Sequence, residues 1–346
     1  MLRGRRIQIT GFNSTYLERN HEFVWSQDNG DAVFRVLYTT ICGSDLRIIA
    51  FGDSRVTYPR TTGHEIVAEV IDSGRRSDWD KGDLVAIGAD IPCQKCIFCT
   101  RKQENLCIEH TAIGYQLDGG LADYLIIDGE FLKSAPIVKV KQGKYPEIYA
   151  LAEPLGCVLH GLENVEIKEW SRVLIIGGGP IGFMLASVLR IERGLSYDNV
   201  VVSEKLKSRI DFLRKHEINT REEIPNIYKE EDKFDFIFTT NSNPNSIKDI
   251  FGFCRKGGQI NFFGGLPKDS AKLSIDPNLL HYSEVTLTGT HGSTPNHHKS
   301  ATEVIAKNED YWSSLITKKF NLEDFSDFIA ARGYESNMKV AFSSNG

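Results

Sequence analysis

The sequence of 346 residues has few cysteines, no large excess of charge of either sign and no signal-peptide pattern. Its 41 Lys and Arg against 46 Asp and Glu give a net charge of −5, which offers no electrostatic basis for binding nucleic acid or an anionic membrane. The N-terminal segment MLRGRRIQIT is basic, but no apolar stretch of signal-peptide length follows it. We therefore expect a cytoplasmic protein with no nucleic-acid and no membrane partner.

One segment, RVLIIGGGPIGFMLASVLRIE (residues 172–192), is apolar enough to suggest a membrane span. Consecutive glycines and a proline interrupt its middle, so a strand, a turn and a buried helix explain it better. The chain also lacks low-complexity linkers and internal repeats. Its length is sufficient for two domains.

The pattern of predicted secondary structure differs between two parts of the chain. Residues 1–150 contain strand-sized apolar runs punctuated by Gly and Asp. From about residue 150 to 290, strand-like and helix-like segments alternate: SRVLIIG, PIGFMLASVLRIERG, NVVVSE, SRIDFLRKH, FDFIFTT, SIKDIFGFCRKGG (helix) and QINFFGG. Repeated βαβ units of this kind predict the α/β class, with a doubly wound parallel sheet covered by helices on both faces.

The C-terminal part predicts a helix around Ala301–Asn308, a helix in LEDFSDFIAAR and a final strand in MKVAFSS. Before them, LTGTHGSTPNHH (287–298) contains His291, His297 and His298. We interpret these as solvated loop histidines, with a place in a substrate or cofactor pocket as the alternative.

Four of the seven cysteines lie within residues 91–110, IPCQKCIFCTRKQENLCIEH, at Cys93, Cys96, Cys99 and Cys107. A Cys-x-x-Cys unit brings two thiolates onto one face of a tetrahedral metal ion. Free thiols in so polar a stretch would be prone to oxidation, and a disulfide framework suits small secreted domains. The spacing therefore predicts a closed Cys₄ structural zinc site that leaves no position for a substrate.

The segment RVLIIGGGPIG places Gly177, Gly179 and Gly182 in the G-x-G-x-x-G register between an apolar strand and an apolar helix. Glycines at these positions let backbone N–H groups approach a pyrophosphate at the helix N-terminus. We therefore expect this loop, with Pro180 and Ile181, to bind a dinucleotide. A mononucleotide or adenosyl cofactor is the alternative.

Glu204 ends the next predicted strand, NVVVSE. Its carboxylate would accept hydrogen bonds from the adenosine ribose and repel a 2′-phosphate, which favours NAD over NADP. The nearby cations Lys205 and Arg209 weaken that preference, and Arg209 is itself a candidate cofactor-binding residue. The structural alternative for Glu204 is a solvated strand end.

Four further residues with metal-ligating side chains stand near predicted element ends: Cys42 in TICGSDLRI, His64 and Glu65 in TTGHEIVAEV, and Glu153 in LAEPLGCVLHG. Each has an ordinary interpretation alone. A buried cysteine packs as a small core residue, a lone histidine packs or hydrogen-bonds, and Glu-Pro often opens a helix.

Together these segments resemble the zinc-dependent medium-chain alcohol and polyol dehydrogenases over nearly the whole chain. The matching pieces are CGSD, GHE, WDKGDLVAI, the four-cysteine lobe, GGLADYLIID, EPLG, GGGPIG and KVAF. The resemblance implies a β-rich, GroES-like catalytic domain, residues 1–150 and 289–346, with a zinc lobe at 91–110. A Rossmann NAD-binding domain, residues 151–288, would interrupt it.

The resemblance is greatest to the sorbitol and threonine dehydrogenase branch, in which Cys, His and Glu bind the catalytic zinc. It implies Cys42, His64 and Glu153 as ligands here, with Glu65 as a direct or water-separated partner. Cys157 is near enough in the sequence to be a rival ligand.

The same resemblance implies two supporting roles next to Cys42. Ser44 matches a proton-relay hydroxyl, and Asp45 matches the carboxylate that orients a ligand histidine. An ST-turn and a helix N-cap are their structural alternatives. Related enzymes often carry a histidine where this chain has Arg47, which cannot carry a proton near neutral pH. Arg47 is therefore a candidate for binding an anionic group of substrate or cofactor.

The resemblance implies a zinc-dependent oxidoreductase that transfers a hydride between NAD and a secondary alcohol or ketone. The substrate would be a polyol, sugar, cyclitol or aminocyclitol, with or without phosphate. Two zinc ions per chain, one catalytic and one structural, and a homo-dimer or homo-tetramer are expected. The alternatives are a nucleotide-binding relative with structural zinc only and an NADP-dependent ketone reductase.

Overall fold

The computed structural model describes residues 1–163, 165–224, 227, 229–266, 272 and 274–344, and the chain forms two compact units. Unit 1 comprises Met1–Leu159 with Gly292–Gly346, and unit 2 comprises His160–His291. The chain divides after Leu159 and after His291, whereas the sequence predicts domain boundaries after residues 150 and 288.

The described elements are as follows. The strands are β1 (Leu2–Gly11), β2 (Ser14–Phe23), β3 (Ala32–Thr40), β4 (Glu65–Asp72), β5 (Leu84–Ile87), β6 (Asp90–Ile91), β7 (Thr111–Ala112), β8 (Tyr124–Ile127), β9 (Ile137–Val140), β10 (Val173–Ile176), β11 (Val200–Ser203), β12 (Asn219–Arg221), β13 (Phe234–Thr239), β14 (Cys254–Phe262), β15 (Thr286–Gly289), β16 (Ile316–Asn321) and β17 (Lys339–Ser343). The helices are α1 (Gly43–Phe51), α2 (Ile97–Thr100), α3 (Gly129–Leu132), α4 (Ala152–Glu163), α5 (Pro180–Ser187), α6 (Lys207–Lys215), α7 (Ile250–Phe253), α8 (Pro277–Ser283), α9 (Pro295–Lys307), α10 (Glu309–Ser313) and α11 (Phe325–Ala330).

Unit 1 is β-rich, as the sequence predicts. Its largest sheet has the order β16-β17-β3-β4-β5-β9, with β8 also pairing with β3. The last strand, β17, lies antiparallel to β3, so the C-terminal segment of unit 1 shares a sheet with strands from its N-terminal segment. On β4, the alternating residues Ile66, Ala68 and Val70 are fully buried in one core of this unit, which is the period expected of a strand.

Unit 2 is a parallel sheet in the order β12-β11-β10-β13-β14-β15. This is the doubly wound order of a dinucleotide-binding fold, and it confirms the α/β class. The runs VLII in β10 and VVV in β11 are buried almost completely, as strands covered on both faces must be.

The predicted helix in SIKDIFGFCRKGG is wrong in its second half. Helix α7 ends at Phe253, and strand β14 begins at Cys254. Gly257, with a φ of 73°, lies inside an irregular stretch of the β13–β14 pairing and does not end a helix. Burial of Cys254 and Ile260 in the unit 2 core favours the strand over local helix propensity.

The histidines after β15 are placed differently from the prediction. Helix α9 begins earlier than expected because Thr294 caps it and Pro295 occupies its first turn. His297 and His298 therefore lie on a helix, and His298 is 1% exposed, with its Nε2 3.3 Å from the carbonyl oxygen of Ala86. The solvated-loop interpretation is wrong for His298 and holds for the exposed His291.

No helix within the described ranges has the length and apolar character required to cross a bilayer. The segment 172–192 is resolved instead into β10, a turn and α5, which continues as a short π-helical stretch, Val188–Glu192.

Candidate functional site

The first candidate centre is built around the start of α1, where Cys42 is the N-cap residue. The N–H of Cys42 donates to Asp45 Oδ2 at 2.9 Å, and the N–H of Gly63 donates to Asp45 Oδ1 at 3.1 Å. Asp45 is fully buried. A single carboxylate therefore ties the N-terminus of α1 to the segment that carries His64.

Three of the predicted ligands converge at this point. The ligand atoms of Cys42, His64 and Glu65 all lie within 4.8 Å of one another. His64 Nδ1 lies 3.3 Å from Asp45 Oδ1, and His64 Nε2 lies 3.4 Å from Ser44 Oγ. A carboxylate at Nδ1 favours the tautomer that leaves Nε2 free to ligate, so this arrangement fits a metal ion.

The electrostatics of Asp45 agree with that role. Burial acts to raise the pKa of Asp45, but the charge of His64 and the two backbone N–H groups outweigh it, so this pKa lies below its ordinary value. Asp45 is therefore an anion at neutral pH, available to hold His64.

Glu65 has partners that local sequence does not indicate. Its carboxylate is paired with Lys339 of β17 and accepts a hydrogen bond from Thr40 of β3. Lys339 is 4% exposed, and its Nζ also donates to the carbonyl oxygen of Ile41 at 3.1 Å. Burial acts to lower the pKa of Lys339, but Glu65 and Cys42 raise it further than burial lowers it.

Glu153 lies in the first turn of α4, outside the group formed by the three ligands above. Cys157, one helical turn later, approaches its Oε1 with Sγ at 3.7 Å. Burial raises the pKa of Glu153 to about 7 and that of Cys157 well above its ordinary value. Its assignment as a zinc ligand stays a prediction.

The four cysteines of the lobe at 91–110 form the second candidate centre. Cys96 Sγ lies 3.5 Å from Cys99 Sγ and 3.9 Å from Cys107 Sγ, and Cys93 Sγ lies 4.0 Å from Cys99 Sγ. Tetrahedral thiolates at about 2.3 Å from zinc stand about 3.8 Å apart, so the group fits this ion. Burial raises the pKa of the Cys107 thiol, and the N–H of Cys93, which donates to Cys107 Sγ at 3.2 Å, partly opposes that rise.

The glycine loop of unit 2 has the close contacts that the motif requires. Gly177 has a φ of 113°, which disfavours other residues. A Cβ at Gly182 would lie 1.9 Å from the carbonyl oxygen of Gly177, so α5 packs directly against the end of β10. Pro180 and Ile181 form the first turn of α5. These contacts agree with the predicted pyrophosphate-binding turn.

Glu204 and Arg209 lie beside this loop. Glu204 Oε2 accepts from the N–H of Gly178 at 2.8 Å, and Oε1 accepts from the N–H of Lys205 at 2.7 Å. Arg209 Nη1 lies 3.8 Å from Glu204 Oε2 and would be 3.3 Å from a Cβ at Gly179. Glu204 is 9% exposed, so the solvated strand end is wrong.

Comparison with known proteins finds a family match within unit 1 and relatives that align with most of the chain. Residues 28–137 match the alcohol dehydrogenase GroES-like domain family. L-galactonate-5-dehydrogenase of Escherichia coli (strain K12) is 26% identical over 334 residues, which cover 90% of this chain and 92% of that protein. D-arabinitol dehydrogenase 1 of Uromyces fabae is 24% identical over 332 residues, 92% of this chain and 91% of that protein.

The fold is also that of a solved structure. A candidate zinc-binding dehydrogenase of Sinorhizobium meliloti 1021, bound to NADP, superposes with a TM-score of 0.87 at 23% identity, and the match covers 99% of this chain and 100% of that chain. The likeness confirms the predicted pairing of a GroES-like and a Rossmann fold.

Proposed function

We propose that this chain is a zinc-type medium-chain alcohol or polyol dehydrogenase. It oxidises a secondary alcohol of a polyhydroxylated substrate, or reduces the ketone, with NAD. The observation that carries this proposal is Asp45, which holds both the Cys42 backbone and His64, so that with Glu65 three ligand atoms converge within 4.8 Å. Relatives named for galactonate and arabinitol support a sugar acid or polyol as substrate.

We propose two zinc ions per chain. Cys93, Cys96, Cys99 and Cys107 would hold the structural ion. Cys42, His64 and a carboxylate would hold the catalytic ion, which supplies a Lewis acid that lowers the pKa of a substrate hydroxyl. Proximity favours Glu65 as the third ligand. We prefer Glu153, because Lys339 and Thr40 already occupy the Glu65 carboxylate.

Two residues beside this centre have separate proposed roles, proton transfer for Ser44 and orientation of the His64 imidazole for Asp45. Ser44 Oγ, 3.4 Å from His64 Nε2, lies on the ligating side of the imidazole and is the group that would receive the substrate hydroxyl proton. Asp45, on the opposite side, holds the imidazole orientation. Charge on Asp45 also increases the basicity of His64 as a ligand.

We propose NAD as the preferred cofactor, whose nicotinamide accepts the hydride. The buried Glu204 carboxylate beside the glycine loop supports this choice, because it would repel a 2′-phosphate. Arg209 and the NADP found in the structurally similar protein favour the alternative. The turnover rates measured with NAD and with NADP distinguish these two cofactors.

Two broader features are proposed with the function. A cytoplasmic location agrees with seven free cysteines, since reducing compartments keep thiols unpaired. Assembly into a homo-dimer or homo-tetramer is the expectation from the family resemblance.

The proposal is tested by metal analysis and turnover of the wild type and of a Cys42→Ser, Glu153→Ala double variant. We expect two zinc ions per wild-type chain, NAD-linked turnover of polyols or sugar acids, and a slower rate with NADP. The variant should retain one zinc and NAD binding but lose turnover. Cys254→Ser, a change at a buried thiol in unit 2, is the control and should retain both ions. Equal zinc content in wild type and double variant would contradict the assignment.

A further inference from the structure

We propose that Arg55, stacked on Tyr115 beside the candidate zinc ligands, binds an anionic group of the substrate. The preferred substrates are then polyols that carry a carboxylate or a phosphate some carbons away from the reacting hydroxyl. This inference rests on the proposed dehydrogenase function and narrows the substrate class of the same site.

Tyr115 connects Arg55 to the metal centre. The Tyr115 ring is 7% exposed, and its centroid lies 5.5 Å from that of His64. The guanidinium carbon of Arg55 lies over the same ring, 4.0 Å from the Tyr115 centroid. The cation is therefore close to His64, at a separation that a short polyol chain can bridge.

Asp53 fixes the orientation of this guanidinium. Asp53 Oδ1 accepts from Arg55 Nε and Asp53 Oδ2 accepts from Arg55 Nη2, both at 2.9 Å. This pair engages one edge of a planar fork that has five N–H donors. Across the described residues, no second carboxylate forms an ion pair with Arg55, and Tyr115 is a further hydrogen-bond partner. The N–H donors that face neither Asp53 nor Tyr115 can bind an anion.

The local charge favours an anion despite Asp53. Arg47, exposed on α1, also acts on Asp53, so two guanidinium groups stand against one carboxylate. The side chain of Arg55 is 34% exposed and is thus accessible to a ligand. Stacking on a buried ring removes water from one face of the cation, which strengthens its bonds to a charged partner.

A neutral hydroxyl would gain less from the same contact. A hydrogen bond from guanidinium to a carboxylate or phosphate is roughly twice as strong as a bond between neutral groups. Arg55 is therefore expected to act as a specificity-determining residue. It would distinguish sugar acids and sugar phosphates from neutral sugar alcohols of the same length.

The test is steady-state kinetics on the zinc-loaded, full-length enzyme with three substrates of equal carbon number: an alditol, an aldonate and an alditol phosphate. We expect Arg55→Gln to raise KM for the anionic substrate about ten- to hundredfold, with kcat changed less and the alditol unaffected. Arg55→Lys keeps the positive charge and should therefore raise KM for the anionic substrate less than Arg55→Gln does. The substrate that responds identifies carboxylate or phosphate as the bound group.

Two further variants make the result specific to this position. Asp53→Asn removes the negative charge beside Arg55 but keeps an acceptor that can hold the guanidinium, and it should lower KM for the same anion. Arg19→Gln makes the same charge change at a residue that is 66% exposed and 3.7 Å from Glu323, and it should have no effect.

An equal loss for charged and neutral substrates in Arg55→Gln, or no loss for either, would overturn the inference and leave the dehydrogenase function intact. Failure of the zinc-loaded wild type to turn over any of the three substrates with NAD or NADP would overturn the proposed function, and this inference with it.

Discussion

Asp45 supports the candidate metal centre by contacts on three sides. It receives N–H groups from Cys42 and Gly63 and faces His64 Nδ1. A helix N-cap partner is therefore also the group that orients a candidate ligand. The geometry fits both the structural and the functional interpretation of Asp45, because Oδ2 accepts from the Cys42 N–H while Oδ1 faces His64 Nδ1.

We expect Asp45→Asn to weaken zinc binding at the Cys42–His64 centre by about ten- to hundredfold and to reduce turnover at least as much. The amide cannot hold the imidazole through a charge and presents a donor where acceptors are required. The measurement is zinc release to a competing chelator, followed by turnover at saturating zinc.

Asp31→Asn is the matched control for that change. Asp31 is a buried aspartate of the same unit that also accepts two backbone N–H groups, those of Ser26 and Gly129. Its replacement should lower the stability without changing zinc affinity. Unchanged zinc affinity in Asp45→Asn would mean that Asp45 only caps α1.

At the scale of elements, the contact between the glycine loop and α5 decides where a phosphate can lie. The carbonyl oxygen of Gly177 occupies the space that a side chain at Gly182 would need. The first turn of α5 is therefore held against the end of β10. The backbone N–H groups of a first helical turn have no partner within the helix and are the groups that commonly bind phosphate.

Gly182→Ala should weaken NAD binding at least about tenfold, because the Cβ must displace the loop or the helix, at a cost of about 1–3 kcal/mol. Calorimetric titration with NAD measures this effect, and zinc content should be unchanged. Gly252→Ala, where a Cβ meets nothing within 4 Å, is the control. Equal NAD affinity in both variants would exclude the loop as the binding element.

At the scale of the whole molecule, the two candidate metal-binding groups found among the described residues both belong to unit 1. The four-cysteine lobe contains mainly short elements, α2 and β6–β7, with little apolar core of its own. We therefore expect the proposed zinc ion to contribute more to the stability of this lobe than to that of the large sheet.

Cys107→Ser should remove one zinc per chain and lower the unfolding temperature by several degrees, since each kcal/mol lost shifts it by about 2–4 °C in a domain of this size. Differential scanning calorimetry with metal analysis measures both changes. The Cys42–His64 centre should still bind zinc. Loss of both ions together would show that the two groups are not independent.

The fold class and several candidate site residues could be predicted from short segments of the sequence. The cysteine spacing in 91–110, the glycine register at 177–182 and the alternation of apolar runs all act within about twenty residues along the chain. Local geometry fixes such patterns, because a turn or a strand–turn–helix unit has the same dimensions wherever it occurs. They were enough to predict the fold class correctly and to identify the candidate zinc lobe and the candidate dinucleotide-binding loop.

Contacts between distant segments required the tertiary structure. Pairing of β17 with β3 puts Lys339 against Glu65, which is 274 residues away in the sequence. Tyr115 likewise lies against Arg55 and His64, two residues from segments well before it in the chain. The start of β14 and the burial of His298 also depend on the segments that pack against them. Strand pairing and core packing depend on the whole chain, so no local pattern reports which side chains they bring together.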